Sequence, residues 1–433
     1  MFSDPTRVLL RARGMIAGAV SDFSRLALKG FLLLAAVEAL LAVTLTVAAN
    51  LRRKLQDEPQ EPFPREEQPE VELESSEERL MLYLDYEGLY EAMLEEIEKA
   101  ERTIFIETFV WKNDEIGSRF VGALGRKARE GVEVYAIFDG VANPSASSNR
   151  FPEGVHALRY RPLSVLQPSS LLNPFNYVRS HRKILAVDGR VAFLGGFNIA
   201  DAYRRRWRDT QVRVRGDLVS EIEEAFAGFW NENRTKDLPE ISLTREERDW
   251  NPATVVRTND PTRGLFPIRA MFIGPMNRAK RHIYLTSVYF VPAREIKEAL
   301  IEAAGRGVDV QVLLPKQSSY ALADWLARRH FGELLGAGVR IFRYDEHFVI
   351  HSKSATIDGV WSTVGSANID SLSLFGLHEV NLEIYSERFA GRMESVFELD
   401  KTNAEELTLE SWEKRPLHTK LLEKALAPIR PFA

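Results

Sequence analysis

The chain of 433 residues contains no cysteine. A disulfide scaffold, a thiolate metal site and a cysteine nucleophile are thereby excluded, although the compartment is not fixed. Charge of one sign is missing as well. The formal net charge is -5, unevenly divided: residues 1–55 hold eight basic and three acidic side chains, residues 56–79 hold two basic and ten acidic ones, and the remainder is close to neutral. Nucleic-acid-binding domains carry a basic face, so this large near-neutral portion argues against one. The apolar fraction of 45% is ordinary for a globular protein. The length suits two domains, or one large domain built of two halves.

Long apolar runs are scarce, with one exception. GFLLLAAVEALLAVTLTVAA, residues 30–49, holds a single charge, Glu38. Twenty residues at about 1.5 Å each reach across a hydrocarbon core of about 30 Å. The run is apolar all round, unlike the one-sided pattern of a soluble helix, and we read it as a transmembrane helix. A cleaved signal peptide is a rival whose preceding region would be unusually long. Arg7, Arg11, Arg13, Arg25 and Lys29 stand before the run, and Arg52, Arg53 and Lys54 after it. With basic residues on both flanks, a re-entrant anchor competes with a single pass. The preceding VLLRARGMIAGAV suits a basic amphipathic segment on an anionic leaflet. Residues 1–54 are thus expected to anchor the chain, with the rest on the cytoplasmic side. Residues 55–79, dominated by acid and proline, are expected to be a solvated tether.

From residue 80 onward the chain repeats itself. RTIFIETFVW (102–111) matches RHIYLTSVYF (281–290), two β-branched and aromatic runs that read as buried strands. Helix-like stretches follow, GSRFVGALGRKARE and REIKEALIEAAGR. GVEVYAIFD (131–139) then matches GVDVQVLLP (307–315), GVHALRY matches GVRIFRY, and KILAVDG and SATIDG open a fourth strand in each half. Alternating helices and strands, with strands too continuously apolar for one-sided exposure, predict an α/β fold with covered sheets. Two similar domains, residues 80–250 and 251–433, are expected to pack face to face. The second ends in WEKRPLHTKLLEKALAPIRPFA, an interfacial or solvated helix. The halves differ before the fourth strand, with 21 residues from Tyr160 to His181 but 7 from Tyr344 to His351. The additional chain within 161–178 carries Leu163, Val165, Leu166, Leu171, Leu172 and Phe175. Such a loop suits contact with acyl chains or a bilayer surface; the plain alternative is that it folds back on its domain.

The fourth strands carry the densest signal. HRKILAVDGRVAFLGGFN and HSKSATIDGVWSTVGSAN place His181, Lys183, Asp188, Gly195 and Asn198 against His351, Lys353, Asp358, Gly365 and Asn368, each shifted by 170 positions. On a strand, His-x-Lys puts both side chains on one face. A neutral imidazole serves as nucleophile or base and its protonated form as acid. An ammonium and a carboxamide beside it bind the oxygens of an anion, and glycine admits close backbone approach. The inventory suits phosphoryl chemistry. Lysine neighbours repel a cation and no third or fourth ligand has the usual spacing, which disfavours a metal; no cofactor is implied. The same offset relates Asp209 in WRDT to Glu379 in LHEV, each 28 residues beyond its motif histidine. These carboxylates are expected to hold each imidazole in its tautomer. Asp188 and Asp358 are then expected to anchor a turn or pair with a basic residue. A single site built from both motifs accounts for the duplication. Two histidines across a pseudo-two-fold axis supply a nucleophile on one side of a phosphodiester and an acid at the leaving oxygen opposite. Lys183, Lys353, Asn198 and Asn368 would hold the non-bridging oxygens.

These stretches resemble the paired HxK-x4-D-x6-G-G/S-x-N signatures of the phospholipase D superfamily. With ETFVW, GGFNIAD, WRDT, YFVP and GSANIDSLS…HEVNLEIY, the chain is similar to bacterial cardiolipin synthases over roughly residues 80–433. The resemblance implies two pseudo-symmetric α/β/α sandwich domains behind an N-terminal transmembrane helix. It implies His181, Lys183, Asp188, His351, Lys353 and Asp358 as the catalytic set, with a phosphatidyl-histidine intermediate on His181 and His351 as acid and base. It further implies conversion of two phosphatidylglycerol molecules into cardiolipin and glycerol, without a cofactor. Phospholipid substrates and the bilayer of a bacterial inner membrane are the implied partners, nucleic acid is not, and a homodimer is left open. Many such synthases carry two N-terminal spans where this sequence has one. The rival is a phosphodiesterase of the same superfamily, hydrolysing phospholipid or, against the charge balance, nucleic acid. The basic patch RRRWR at 204–208 suits lipid headgroups as readily. A catalytically dead scaffold on the bilayer is a third reading, opposed by two intact motifs.

Overall fold

The computed structural model describes residues 77–143, 151–161, 177–243, 253–318, 320–345 and 347–417, with 63–64, 68–74 and a few isolated positions. The first half opens with β1 (Val71–Glu72), β2 (Arg79–Asp85), α1 (Tyr86–Glu98) and β3 (Thr103–Thr108). It continues with α2 (Glu115–Arg129), β4 (Glu133–Asp139), β5 (Val155–Tyr160) and β6 (Arg179–Ser180). It closes with β7 (Ile184–Val187), β8 (Val191–Gly195), α3 (Tyr203–Arg206), β9 (Trp207–Arg215) and α4 (Leu218–Asn233). The second half runs β10 (Thr254–Asn259), α5 (Pro267–Arg278), β11 (His282–Ser287), β12 (Phe290–Val291), α6 (Arg294–Gly305) and β13 (Asp309–Pro315). Then come α7 (Ala321–Gly336), β14 (Arg340–Tyr344), β15 (Val349–Ile350), β16 (Lys353–Ile357), β17 (Trp361–Gly365) and β18 (Ile369–Asp370). Last are α8 (Ser371–Phe375), β19 (Leu377–Tyr385), α9 (Glu387–Lys401), β20 (Ala404–Leu407) and α10 (Leu409–Glu413).

Each half is a mixed sheet between helices. The first has strand order β1-β2-β9-β8-β7-β3-β4-β5 and the second β10-β19-β17-β16-β11-β13-β14-β20. In each, three strands are parallel (β3, β4, β5; β11, β13, β14) and the motif strands join antiparallel beside them. Strands covered on both faces must be apolar throughout, and every residue of β7 and β8 is buried. The helices begin where polar caps allow: Asp85 accepts from Gly88 N–H, Asp114 from Gly117 N–H and Ser386 Oγ from Phe389 N–H.

The two sheets meet through a single apolar cluster. Leu194, Val212, Val214 and Ile222 of the first half pack with Val364, Leu382, Ile384 and Met393 of the second. Two short strands then cross over. β6 leaves its own sheet and pairs in parallel with β19 (Arg179 with Leu377, Ser180 with His378), while β15 pairs with β9 (Val349 with Trp207, Ile350 with Arg208). Arg208, fully buried at this crossing, reaches the Asp400 carboxylate of the other half with two bonds of 2.7 Å. A fork-on-fork pair satisfies both buried charges at once. The exchange of strands sets the geometry of the site.

Three expectations fare differently here. The acidic stretch 55–79 lies partly outside the described residues, and the described part is not a solvated tether. β1 pairs with β2, Leu73 is buried, and Phe63 packs edge-on against Phe348 of the second half with ring centroids 5.7 Å apart. Glu74 accepts from Ser386 Oγ (2.6 Å) and from Arg388 N–H (2.7 Å). A few apolar side chains suffice because they join clusters the two halves build, Phe63 on the second half and Leu73 where the halves meet, and the carboxylate caps the positive end of α9. The run 30–49 is described only at Thr44, Val47 and Ala48, which are helical; among the described residues no helix is long and apolar enough to cross a membrane. The loop segment 162–176 and most of the tail beyond 417 lie outside the described residues.

Candidate active site

The crossing strands deliver both motif histidines to one place. His181 follows β6 directly, and its N–H bonds the carbonyl of His378 in the other half at 2.9 Å. His351 follows β15, and its N–H bonds the carbonyl of Arg208. Each histidine is therefore attached to the strand that carries the other half's carboxylate. His181 Nδ1 lies 3.0 Å from both Glu379 oxygens, and His351 Nδ1 lies 2.7 Å from Asp209 Oδ2. Both carboxylates were expected from sequence to orient the imidazoles; the structure pairs each with the histidine of the other half. The matched offset could not reveal this, because it relates equivalent positions and is silent about which half each contacts.

The local geometry also departs from a continuous strand. β6 ends at Ser180 and β7 begins at Ile184, while β15 ends at Ile350 and β16 begins at Lys353. His-x-Lys thus spans the return from the neighbour's sheet to its own. Each lysine folds back so that Nζ donates to the carbonyl of its histidine, Lys183 to His181 and Lys353 to His351. Both ammonium groups are buried, and an ammonium has three donors, so this contact leaves capacity for an anion. His181 interacts electrostatically with Lys353, and His351 with Lys183, which makes the two motifs one electrostatic unit.

With both Nδ1 atoms bonded to carboxylates, the Nε2 atoms are the ones left to meet a substrate. Burial lowers the basicity of both imidazoles. For His351, with Lys353 reinforcing it, the pKa falls to about 3; for His181 the fall is opposed chiefly by Glu379. Burial also lowers Lys183 to about 7 and Lys353 to about 8, against the attraction of Glu379 and Asp209. For the carboxylates, burial works upward but is outweighed. His181 and Lys183 hold Glu379 below the usual range, and His351 and Lys353 do so for Asp209. The resting site is neutral imidazole on ionised carboxylate, twice.

Residues invisible to the motif complete it. Glu379 accepts from Ser366 Oγ; Asp209 accepts from Tyr86 Oη (2.8 Å) and from Thr210 N–H (2.8 Å). Ser366 corresponds at the 170 offset to Gly196, where a Cβ would lie only 2.7 Å from Asp209 Oδ2. The donor on that side must come from elsewhere, and Tyr86 of α1 supplies it. The exchange of Gly196 for Ser366 was readable in the sequence; Tyr86, 123 residues from Asp209, was not. Phe109 meets the His181 ring edge-on at 5.2 Å, and Trp207 meets His351 at 5.0 Å. The motif glycines Gly195 and Gly365 make room for side chains, since a Cβ would lie 2.0 Å from Gln211 Oε1 and 2.3 Å from Asn381. Those two amides in turn accept from Phe197 N–H and Ala367 N–H, at 3.2 Å each.

Asn198 and Asn368 are buried. Asn198 Oδ1 accepts from Val110 N–H at 3.1 Å, and Asn368 Nδ2 reaches Ser373 Oγ at 3.4 Å. Asp188 and Asp358 are not in the cluster. They sit in the hairpin turns at the far ends of β7 and β16, with φ of 56° and 55°. Five residues of strand from each lysine is about 17 Å. Asp188 accepts 2.8 Å bonds from the N–H groups of Glu101, Arg102 and Thr103; Asp358 accepts from those of Lys280 and Arg281 at 2.8 Å and of His282 at 3.0 Å. Their part in the motif is to tie the hairpin to the start of β3 or β11. We therefore expect Asp188→Asn, which keeps a side chain tolerant of positive φ, to lose about 1–3 kcal/mol of stability. Denaturant unfolding and steady-state assay together check this: the midpoint falls while kcat stays within about twofold, as for a group remote from the chemistry. Among the described residues there is no group of three His, Asp or Glu side chains placed to hold a metal ion.

A mixed two-half α/β fold with one His, Lys and carboxylate cluster at its crossing defines a class of phosphodiester-transfer proteins. The comparisons narrow it. A family model described as "Cardiolipin synthase, PLD-like domain" matches residues 93–230 and 272–401, once in each half. A cardiolipin synthase of Clostridium perfringens is 33% identical over 371 residues, covering 81% of this chain and 76% of that protein. One from Staphylococcus aureus is 30% identical over 370 residues, covering 81% and 73%. The chain belongs to the cardiolipin synthase family of phospholipase D-like proteins, and its activity is that of a phosphatidyltransferase. In fold it is similar to a phosphatidylserine synthase of Haemophilus influenzae, with TM-score 0.62, 14% identity and coverage of 89% of this chain and 98% of that one. It is also similar to a polyphosphate kinase of Porphyromonas gingivalis, with TM-score 0.50, 13% identity and coverage of 86% and 57%.

Proposed function

We propose that the protein joins two phosphatidylglycerol molecules into cardiolipin and glycerol through a phosphatidyl-histidine. His181 Nε2 attacks phosphorus and the bond to the glycerol oxygen breaks; that oxygen takes its proton from His351, which gains one from solvent when the negative charge of the bound phosphodiester raises its basicity. His351, now neutral, takes the proton of a hydroxyl on the second phosphatidylglycerol. That oxygen attacks phosphorus, the P–N bond breaks, and His181 is restored. Glu379 and Asp209 stabilise whichever imidazole is charged at each stage. Lys183, Lys353, Asn198 and Asn368 hold the non-bridging oxygens. The observation that carries this reading is the crossed pairing, which gives each half's histidine a partner only when both halves form one site.

Product analysis tests it. Purified protein given phosphatidylglycerol alone is expected to release cardiolipin and glycerol in equal amounts. Phosphatidic acid as the sole lipid product would mean hydrolysis instead. Residues 30–49 are proposed to span the inner membrane and hold the catalytic part at the cytoplasmic leaflet, where such lipids are presented.

The lysines set the pH dependence. Below about 7 for Lys183 and about 8 for Lys353 each is charged and binds phosphate; above, each is neutral. The kcat/KM of the free enzyme should fall by about tenfold per unit from the lower of these and by about a hundredfold per unit beyond the upper, because both groups are competent only when protonated. A bound phosphodiester stabilises the ammonium, so the fall in kcat should come at higher pH. A kcat/KM profile flat to about pH 10 would take the lysines out of phosphate binding.

A further inference from the structure

Beside the Glu379 end of the site, two segments raise apolar side chains into solvent. Asn259, the last residue of β10, pairs with Glu379 itself. The chain then turns, closed by Asp260 and Leu265 exchanging backbone hydrogen bonds at 2.9 and 3.0 Å. α8 lies alongside, starting at its cap Asp370, two residues beyond Asn368. Asn259 clamps the segments together, its Nδ2 donating to the carbonyls of Ser373 and Leu374 at 3.3 Å. Phe266 meets Phe375 edge-on at 5.5 Å, and the Arg269 guanidinium lies 5.2 Å over the Phe375 ring. On this braced base Leu265 is 54% and Leu372 57% exposed. Exposed leucines scattered singly are ordinary, but two on segments clamped together by one buried asparagine in register with Glu379 are not.

We infer that this knuckle is a bilayer contact, seated in the headgroup layer while the site takes its lipid. The inference rests on the phospholipid reading above. A diacyl lipid keeps its chains in the bilayer while its phosphodiester enters the site, so a surface close to the site must come down to the interface, and the clamped segments beside Glu379 offer one. Apolar side chains on a rigid support are what an interface accepts. Burying them there offsets the cost of lifting a headgroup from its neighbours.

The test uses the full chain and two presentations of one substrate. Leu265→Ser with Leu372→Ser should reduce kcat/KM about 10–100-fold on phosphatidylglycerol in vesicles, in line with two leucines partly withdrawn from water. On short-chain phosphatidylglycerol below its micellar concentration the change should be under about twofold, since no interface is present. Equal losses on both, or none on either, overturn the proposal. A second readout is independent of turnover. The chain has no cysteine, so Leu372→Cys takes a single environment-sensitive dye. Its emission should shift to the blue on reconstitution into phosphatidylglycerol vesicles and be quenched by lipids carrying a quencher near the headgroup. An unchanged spectrum overturns the surface. A shift in a protein that makes no cardiolipin overturns the proposed reaction instead and leaves the contact standing.

Discussion

His181→Ala is expected to abolish turnover, and His351→Ala to abolish it differently. With His181 gone there is no atom to receive the phosphatidyl group, and the loss should reach roughly 10⁴–10⁶-fold, as for other nucleophiles that act as part of a unit. With His351 gone the nucleophile remains but the leaving glycerol oxygen has no acid and the incoming hydroxyl no base. General acid–base catalysis contributes roughly 10²–10⁴ per step, so the first half-reaction should still creep forward and the second stall. An alkaline denaturing quench of His351→Ala, in which phosphoramidate bonds survive, should then reveal protein carrying labelled lipid, while His181→Ala carries none. Label on His181→Ala but not on His351→Ala would exchange the two roles. The geometry allows such exchange, because each imidazole has a carboxylate, a lysine and an aromatic edge. Full activity in either single variant would sink the shared site.

What the sequence disclosed and what it hid follow one physical line. Interactions that repeat in both halves were visible as matched spacing: the histidines, the lysines, Asp209 against Glu379, and the apolar strands. That both motifs share one site was an inference from the duplication, but the particular side-chain contacts between halves were hidden, since a 170-residue offset says which positions are equivalent and nothing about which meet. Hence Asp209 and Glu379 were found as partners of the imidazoles, but which carboxylate meets which imidazole was not. Residues that break the symmetry were hidden too. Tyr86 replaces by a distant hydroxyl what Ser366 supplies locally, and Arg208 holds Asp400 where the equivalent position in the second half is His378. Asp188 and Asp358 illustrate the converse. A place in a conserved-looking repeat reads as chemistry, yet each spends its oxygens on three backbone N–H groups at a hairpin.

Glu379→Gln should lower kcat roughly 10³–10⁴-fold, and Asp209→Asn by a similar factor, the scale seen when an orienting carboxylate becomes an amide and the wrong tautomer is favoured. The rate alone cannot tell crossed from uncrossed partners; the imidazole resonances can. In Glu379→Gln the His181 ring should change its tautomer or titration while His351 keeps its own, because the lost acceptor lay 3.0 Å from His181 Nδ1. In Asp209→Asn the His351 ring should respond instead. The direction is fixed as well. Each carboxylate raises the basicity of the imidazole it touches, against burial that lowers it, so its removal must push that imidazole further toward the neutral form. The variant ring should therefore resist protonation to lower pH than in the parent. Response of the ring in the same half as the substitution would refute the crossed arrangement, and with it the reason that neither half holds a complete imidazole–carboxylate pair.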